Sequence, residues 1–191
     1  FLPLPRRQAI TALYAFCREV DDVVDQCQDL SVASAKLNWW RQELVDLFSG
    51  KPTHPISKAL QPHLSDYDIR HEWLNAILDG MEMDLAGSRY PDFGHLKKYC
   101  YRVAGVVGIL SASIFGYQDK QTLAYAEKLG EALQLINIIR DVGDDARRGR
   151  IYLPVNELQR FNVPAADIFN RHYSDHFVAL MQFQAERARS I

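Results

Sequence analysis

Cysteine is scarce in this chain, no charge sign dominates, and no apolar run is long. Three cysteines, Cys17, Cys27 and Cys100, are too few and too scattered for a disulfide framework or a zinc site. A reducing cytoplasm is therefore the default location. Lys and Arg number 22 against 24 Asp and Glu, for a net charge of −2, which gives no reason to expect a nucleic-acid partner. The longest uncharged run, Val103 to Gln118, is too short for a membrane span, and its three glycines suit a tightly packed internal helix better. No signal-peptide pattern is read in the segment. No Asn-Gly or Asp-Gly hairpin sits between alternating runs, so strands are not expected. Six histidines form no HExxH arrangement. Only His172 and His176 have a ligand-like spacing, and with no acidic third partner nearby they read as surface. The absence of Glu-x-x-His pairs discounts a di-iron bundle.

What remains is helix. Hydrophobic residues make up 48% and charged residues 24% of 191 residues, ordinary for one globular domain that can bury a real core. Apolar spacing predicts helices over about 6–28, from Ser31 or Ser34 to Phe48, from Pro55, over 68–86, 92–115 and 119–147, then 155–160 and 173–190. These follow from apolar repeats at three and four residues, with Pro and Ser at starts and Gly at stops. The fold class is all-α. Opening on Phe1 and ending at Ile191 within a helical pattern is what an excerpt of a longer protein would show.

Two acidic clusters more than a hundred residues apart hold the chemistry. In the second, Asn137, Asp141 and Asp145 repeat every four residues, giving one oxygen-bearing stripe about 12 Å long at about 3.6 residues per turn. A polar Asn within the apolar run Leu133–Ile139 needs a partner or ligand, because unpaired burial costs about 1–3 kcal/mol. An amide oxygen with carboxylates is a suitable donor set for Mg²⁺, which keeps several waters. The competing reading is a solvated patch paired with Arg147, Arg148 and Arg150, including the Asp144–Arg148 spacing. Gly143 favours function, since a mid-helix glycine costs about 1 kcal/mol and usually has a packing or functional reason.

In the first cluster, Asp21 and Asp25 share a face. Tyr14, Arg18 and Asp22 step along another at four-residue intervals, a stripe fit to meet phosphate because Arg grips its oxygens bidentately. An ordinary surface ladder of ion pairs is the alternative. Between the clusters, the Tyr99–Gly108 stretch reads as core packing or as a groove where a ligand chain could lie. Gly80–Leu85 is acidic but has no same-face carboxylate pair, and reads as a solvated face.

Taken together, these residues resemble the head-to-head prenyl synthases: squalene, dehydrosqualene, presqualene diphosphate and phytoene synthases. The matching text is Ala12–Asp25, Tyr101–Gly108, and Ala132–Asp145 with the following Ala146–Pro154. Within that family the chain is most similar to bacterial presqualene diphosphate synthases of the hopanoid pathway, with phytoene synthase close behind. Gly80–Leu85 and Arg160–Pro164 contribute to that likeness.

The resemblance implies an isoprenoid synthase helical bundle around a central cavity, one domain over 1–191, with family segments before and after it. It implies Asp21, Asp25, Asn137, Asp141 and Asp145 as Mg²⁺ ligands. Tyr14, Arg18, Gln134 and Arg140 would contact substrate diphosphate or its surroundings, and Tyr101 would be a cavity tyrosine near the reacting carbons. The implied reaction joins two farnesyl diphosphates into presqualene diphosphate. Phytoene synthesis from two geranylgeranyl diphosphates, or dehydrosqualene or squalene synthesis, are the alternatives within the class. A non-catalytic helical scaffold with solvated acidic stripes is the alternative outside it. A dry tunnel must protect the cation, with Val103, Val106, Val107, Leu133 and Ile136 as candidate walls. No obligate protein partner is implied, and a greasy product points to peripheral contact with a bilayer.

Overall fold

Residues 2–27, 29–87 and 89–191 are described by the computed structural model, and no strand occurs among them. Helical spacing of apolar side chains decides each long element. On α1 (Leu4–Gln26) the residues Ala9, Leu13, Phe16, Val20 and Val24 are buried along one stripe, and Tyr14, Arg18, Asp21 and Asp25 lie off it. α2 (Leu30–Phe48) begins at Asp29, whose carboxylate accepts hydrogen bonds from the Ser31 and Val32 amides. The cap is therefore Asp29 rather than Ser31 or Ser34, because a carboxylate there satisfies two orphan amides. α3 (Pro55–Leu60) runs into a 3₁₀ turn. α4 (His71–Leu85) starts three residues later than the spacing predicts, since Asp68 takes a positive φ of 49° that a helix cannot accommodate.

The helix expected over 92–115 is continuous but re-phased. Between α5 (Phe93–Cys100) and α6 (Val106–Phe115) it widens into one π turn, Tyr101–Gly105. Four-residue steps drift round an ideal α-helix by about 40° each. The wider turn absorbs that drift, so Tyr99, Val103 and Val107 all face one cavity. Such single π turns are frequent at functional sites.

α7 (Gln121–Arg147) packs against the π turn and α6. Their approach is close enough to require glycine. A Cβ on Gly108 would lie 2.2 Å from the Ala126 carbonyl oxygen, and one on Gly130 would lie 2.3 Å from that of Ala104. The connector after α7 leads to α8 (Val155–Arg160), α9 (Ala165–Phe169) and α10 (Asp175–Ser190). The five-residue α9 has no counterpart in the sequence reading, because one turn is too short to show periodicity.

Two apolar clusters result. The first joins α1, α2, α3, α4 and α6 around Phe16, Trp40, Leu44, Leu74 and Leu110. The second joins α5, the distal half of α7, and α8 to α10 around Leu96, Leu135, Ile138 and Leu180. Val103 packs against both, so the π turn stands where they meet. No helix among the described residues is long and apolar enough to cross a membrane.

Candidate functional site

α1 contributes Tyr14, Cys17, Arg18 and Asp21 to a cavity of about 320 Å³. Its other walls are Ile77, Met81 and Asp84 of α4, Tyr99, Val103 and Val107, and Gln134 of α7. A second, mostly apolar groove of about 510 Å³ runs between α6 and α7, past Ser111, Ala112, Phe115, Leu129 and Leu133 to Asn137. Val103, Val107 and Gln134 line both. A charged mouth thus adjoins an apolar trough.

Arg18 sits over the first acidic cluster, 3.2 Å from Asp21 and 2.7 Å from Asp22. The Asp22 contact is close but poorly aligned for a hydrogen bond, so it acts as an ion pair rather than a directed bond. Burial, and then the neighbouring Asp25 charge, raise the Asp21 carboxyl above its ordinary value. Asp25 itself accepts from Arg148 and Arg150, each at 3.3 Å. Those arginines follow α7, so the second cluster's connector reaches back to the first cluster. Arg148 is therefore not spent on Asp144, whose partner is Arg147.

On α7, Asn137 donates to Gln134 at 3.3 Å, so the half-buried amide has a partner. Arg140 grips Asp141 with two bonds, at 2.6 and 2.7 Å, and that hydrogen bonding holds Asp141 below its ordinary value. Asp145 is pushed up to about 6 by burial and by the Asp141 charge, against the opposing pull of Arg150 and Arg148.

Arg150 acts electrostatically on Asp21, Asp84 and Asp145, and hydrogen-bonds Asp25. Asp145 of the second cluster and Asp21 and Asp25 of the first are therefore gathered around one guanidinium, whereas Asp141 is held by Arg140, and neither it nor Asn137 nor Asp145 lines the cavity that Asp21 lines. Among the described residues, no three His, Cys, Asp or Glu side chains form a ready metal cage. Mg²⁺ needs none, since it takes one or two carboxylates and keeps its waters. Asp21 and Asp145, raised first by burial and then by a neighbouring carboxylate's charge, fit a site that gains from a cation.

Some expected positions fall elsewhere. Tyr101 does not line the cavity. It lies beside Gly105 and the Glu127 and Glu131 side chains, and burial followed by Glu127 raises its hydroxyl. On a helix, residues two apart point to opposite sides, and Tyr99 holds the cavity position. Val106 is fully buried in the first core, and Ile136 is about half exposed. Val103, Val107 and Leu133 do form walls. Gly143 has open space where a Cβ would be, so packing does not explain it. His172 and His176 are exposed.

Asp84 is the main residue that sequence reasoning missed. Gly80–Leu85 is not simply a solvated face: Asp84 turns into the cavity wall and accepts from the hydroxyls of Tyr99 at 2.9 Å and Tyr152 at 2.7 Å. Burial nevertheless raises its carboxyl. Nothing in the sequence distinguished it from Asp79 and Glu82 on the same helix, which pair with Arg41.

An all-helical bundle whose acidic faces meet above an apolar trough is the architecture of the isoprenoid synthases. Superposition agrees: squalene synthase HpnC from Alicyclobacillus acidocaldarius matches with a TM-score of 0.90 at 29% identity, over 99% of this chain and 71% of that one. The squalene/phytoene synthase family model matches residues 1–191, and the chain belongs to that family. It is 42% identical over 200 residues to 15-cis-phytoene synthase of Synechococcus elongatus and 39% identical over 201 residues to phytoene synthase of Arthrospira platensis. Each alignment covers 98% of this chain and 65% of the relative, so the chain spans just under two thirds of their length.

Proposed function

We propose that this chain carries the catalytic centre for head-to-head condensation of two prenyl diphosphates, with farnesyl diphosphate as substrate and presqualene diphosphate as product. The observation that supports this best is the charged mouth sharing Val103, Val107 and Gln134 with the apolar groove. A ligand with an anionic head and a hydrocarbon tail has matching surfaces there.

Asp21, Asp25, Asn137, Asp141 and Asp145 are the residues that would hold Mg²⁺. Bound there, Mg²⁺ supplies Lewis-acid stabilisation of the leaving diphosphate. Arg18 in the mouth, Arg148 and Arg150 on Asp25 and Arg140 on Asp141 would provide fixed positive charge where charge develops as the donor's C–O bond ionises. The acceptor's 2,3 double bond then attacks the allylic cation. Loss of a proton to the departing diphosphate closes the cyclopropane. Val103, Val107 and Leu133 keep water from the cation.

Phytoene synthesis from two C20 diphosphates is the second reading, favoured by the names of the two sequence relatives. The structural neighbour named for squalene favours C15. Incubation of the full-length protein with each diphosphate and Mg²⁺, followed by mass spectrometry, separates the two. Diphosphate release should vanish in Asp21→Ala and in Asp141→Ala. Full turnover in both variants would remove the metal-site assignment. A product with a long prenyl body also calls for delivery at a bilayer surface.

A further inference from the structure

The apolar groove has one closed end. α6 and α7 run antiparallel and are joined by residues 116–120, so the space between them stops at that hairpin. Val107 and Gln134 line both the charged mouth and the groove, and Phe115, Gly116, Thr122 and Tyr125 line the groove's far end. Arg6 of α1 fixes this end. Its guanidinium donates to the Phe115 carbonyl oxygen at 2.5 Å. That oxygen lies at the C-terminus of α6, where backbone carbonyls lack helical partners and a cation is favoured. The next residue, Gly116, turns the chain with a φ of 86°, and a Cβ there would lie 2.7 Å from Arg6 Nη2. The missing side chain at Gly116 is what admits the arginine.

The length of the groove can be set against a prenyl tail. From Val107 to Phe115 α6 rises about 12 Å, and from Gln134 back to Tyr125 α7 spans about 14 Å, at about 1.5 Å per residue. An isoprene unit contributes four carbon–carbon bonds of about 1.5 Å, so three extended units reach roughly 15 Å and four roughly 20 Å. Three units fill the groove from mouth to end. A fourth has to pass Phe115 and Tyr125.

We propose that Phe115, held in place by Arg6, is the specificity-determining residue for tail length and limits the tail in this groove to three isoprene units. This rests on the condensation reading above and deepens it, because the choice of C15 over C20 is assigned to a side chain and to the contact that positions it. Tyr125 closes the same end from α7. Phe115 and Tyr125 are 45% and 66% exposed and belong to neither apolar cluster, so truncating them lengthens the groove without hollowing a core.

The test measures kcat/KM for the C15 and C20 diphosphates with Mg²⁺ in the full-length protein and in Phe115→Ala, Tyr125→Ala, Arg6→Met and Arg6→Lys. The wild type should favour C15. Phe115→Ala should raise the C20-to-C15 ratio on the order of 10-fold or more, the discrimination that a few methylenes in an apolar pocket supply, mainly through a gain on C20. Tyr125→Ala and Arg6→Met should move the ratio the same way by smaller factors. Arg6→Lys, which keeps a donor for the Phe115 carbonyl, should lie nearer the wild type. A merely structural loss lowers turnover of both substrates alike and leaves the ratio fixed. An unchanged ratio in Phe115→Ala, or equal losses on both substrates, overturns the proposal and leaves the condensation reading standing. Should Phe115→Ala fold poorly, Phe115→Leu takes its place with the same expected direction. A wild-type ratio in Arg6→Met overturns the part assigned to Arg6. A wild type that favours C20 overturns the proposal together with the choice of farnesyl diphosphate, but not the condensation itself. If the wild type consumes neither diphosphate, the condensation reading and this inference fall together.

Discussion

Arg150 donates to Asp25 at 3.3 Å across 125 residues of chain. This contact ties the end of α1 to the segment just past α7, with Arg148 making a parallel one. Because Arg150 also acts on Asp21, Asp84 and Asp145, it is a counter-charge common to four carboxylates, beside Arg18 at Asp21 and Arg148 at Asp25 and Asp145. Arg150→Ala should destabilise the metal-free protein by about 1–2 kcal/mol, the loss of a partly exposed charged hydrogen bond plus added repulsion. Urea denaturation in EDTA measures this. Adding Mg²⁺ should recover part of the loss, and equal stability of variant and wild type in EDTA would contradict the shared counter-charge.

The raised Asp145 carboxyl gives a pH dependence of definite sign. Its ordinary value near 3.8 becomes about 6 in the fold. The folded state therefore binds the proton more tightly than the unfolded state. The associated stability is fully present below the unfolded value and is lost as pH rises through about 6. Asp145→Asn, which cannot ionise, should therefore match wild type near pH 4 and exceed it at pH 7.5. A two-unit shift would correspond to about 3 kcal/mol if the group were dry. Because Asp145 is only partly buried, solvent screening reduces the expected gain to about 1 kcal/mol. Chemical denaturation without metal at the two pH values is the measurement, and a gain at the lower pH would refute the assignment.

Two glycines on facing helices should behave oppositely to one on the exposed end of α7. Gly108→Ala places a Cβ 2.2 Å from the Ala126 carbonyl oxygen, which requires α6 and α7 to separate. Overpacking of this kind costs about 1–3 kcal/mol, and Gly130→Ala should act likewise. Gly143→Ala meets nothing within 4 Å and removes a mid-helix glycine, so it should stabilise by about 1 kcal/mol. Thermal melts of the three variants check both signs at once. If Gly143→Ala also destabilised, the open space beside it would be in error.

These outcomes show where sequence was readable. Helices long enough to repeat their apolar spacing were legible to within a few residues, as α1, α2 and α7 illustrate. The all-α class followed from them. The acidic stripes were legible too, because four-residue spacing needs only one helix to be right. The π turn was not, since an added residue in one turn leaves no mark on composition. It decides that Tyr99, Val103 and Val107 share one cavity wall. Asp84 stayed hidden because its partners lie 15 and 68 residues away, and nothing local announces them. The same holds for Arg150, whose neighbouring Arg147 and Arg148 made it look like part of a surface run.

The last prediction separates a working site from a solvated acidic surface without relying on turnover. A ligand that binds only the folded state stabilises it by about 2.7 kcal/mol at a hundred times its dissociation constant. For a chain of this size that corresponds to a melting-temperature rise of roughly 5–10 °C. Mg²⁺ with inorganic diphosphate should produce such a rise, growing with diphosphate concentration, whereas either component alone should do less. Asp141→Ala both removes a carboxylate from the α7 stripe and releases Arg140 from its two bonds. The freed arginine could still attract diphosphate, so the variant should keep a weak, Mg²⁺-independent shift while losing the cooperative part. Asp21→Ala should lose the cooperative part as well, since its carboxylate lies on the opposite wall. If neither substitution changes the shift, diphosphate is bound by arginines alone and the facing carboxylates are not holding a cation. If the wild type shows no shift at all, the scaffold reading stands.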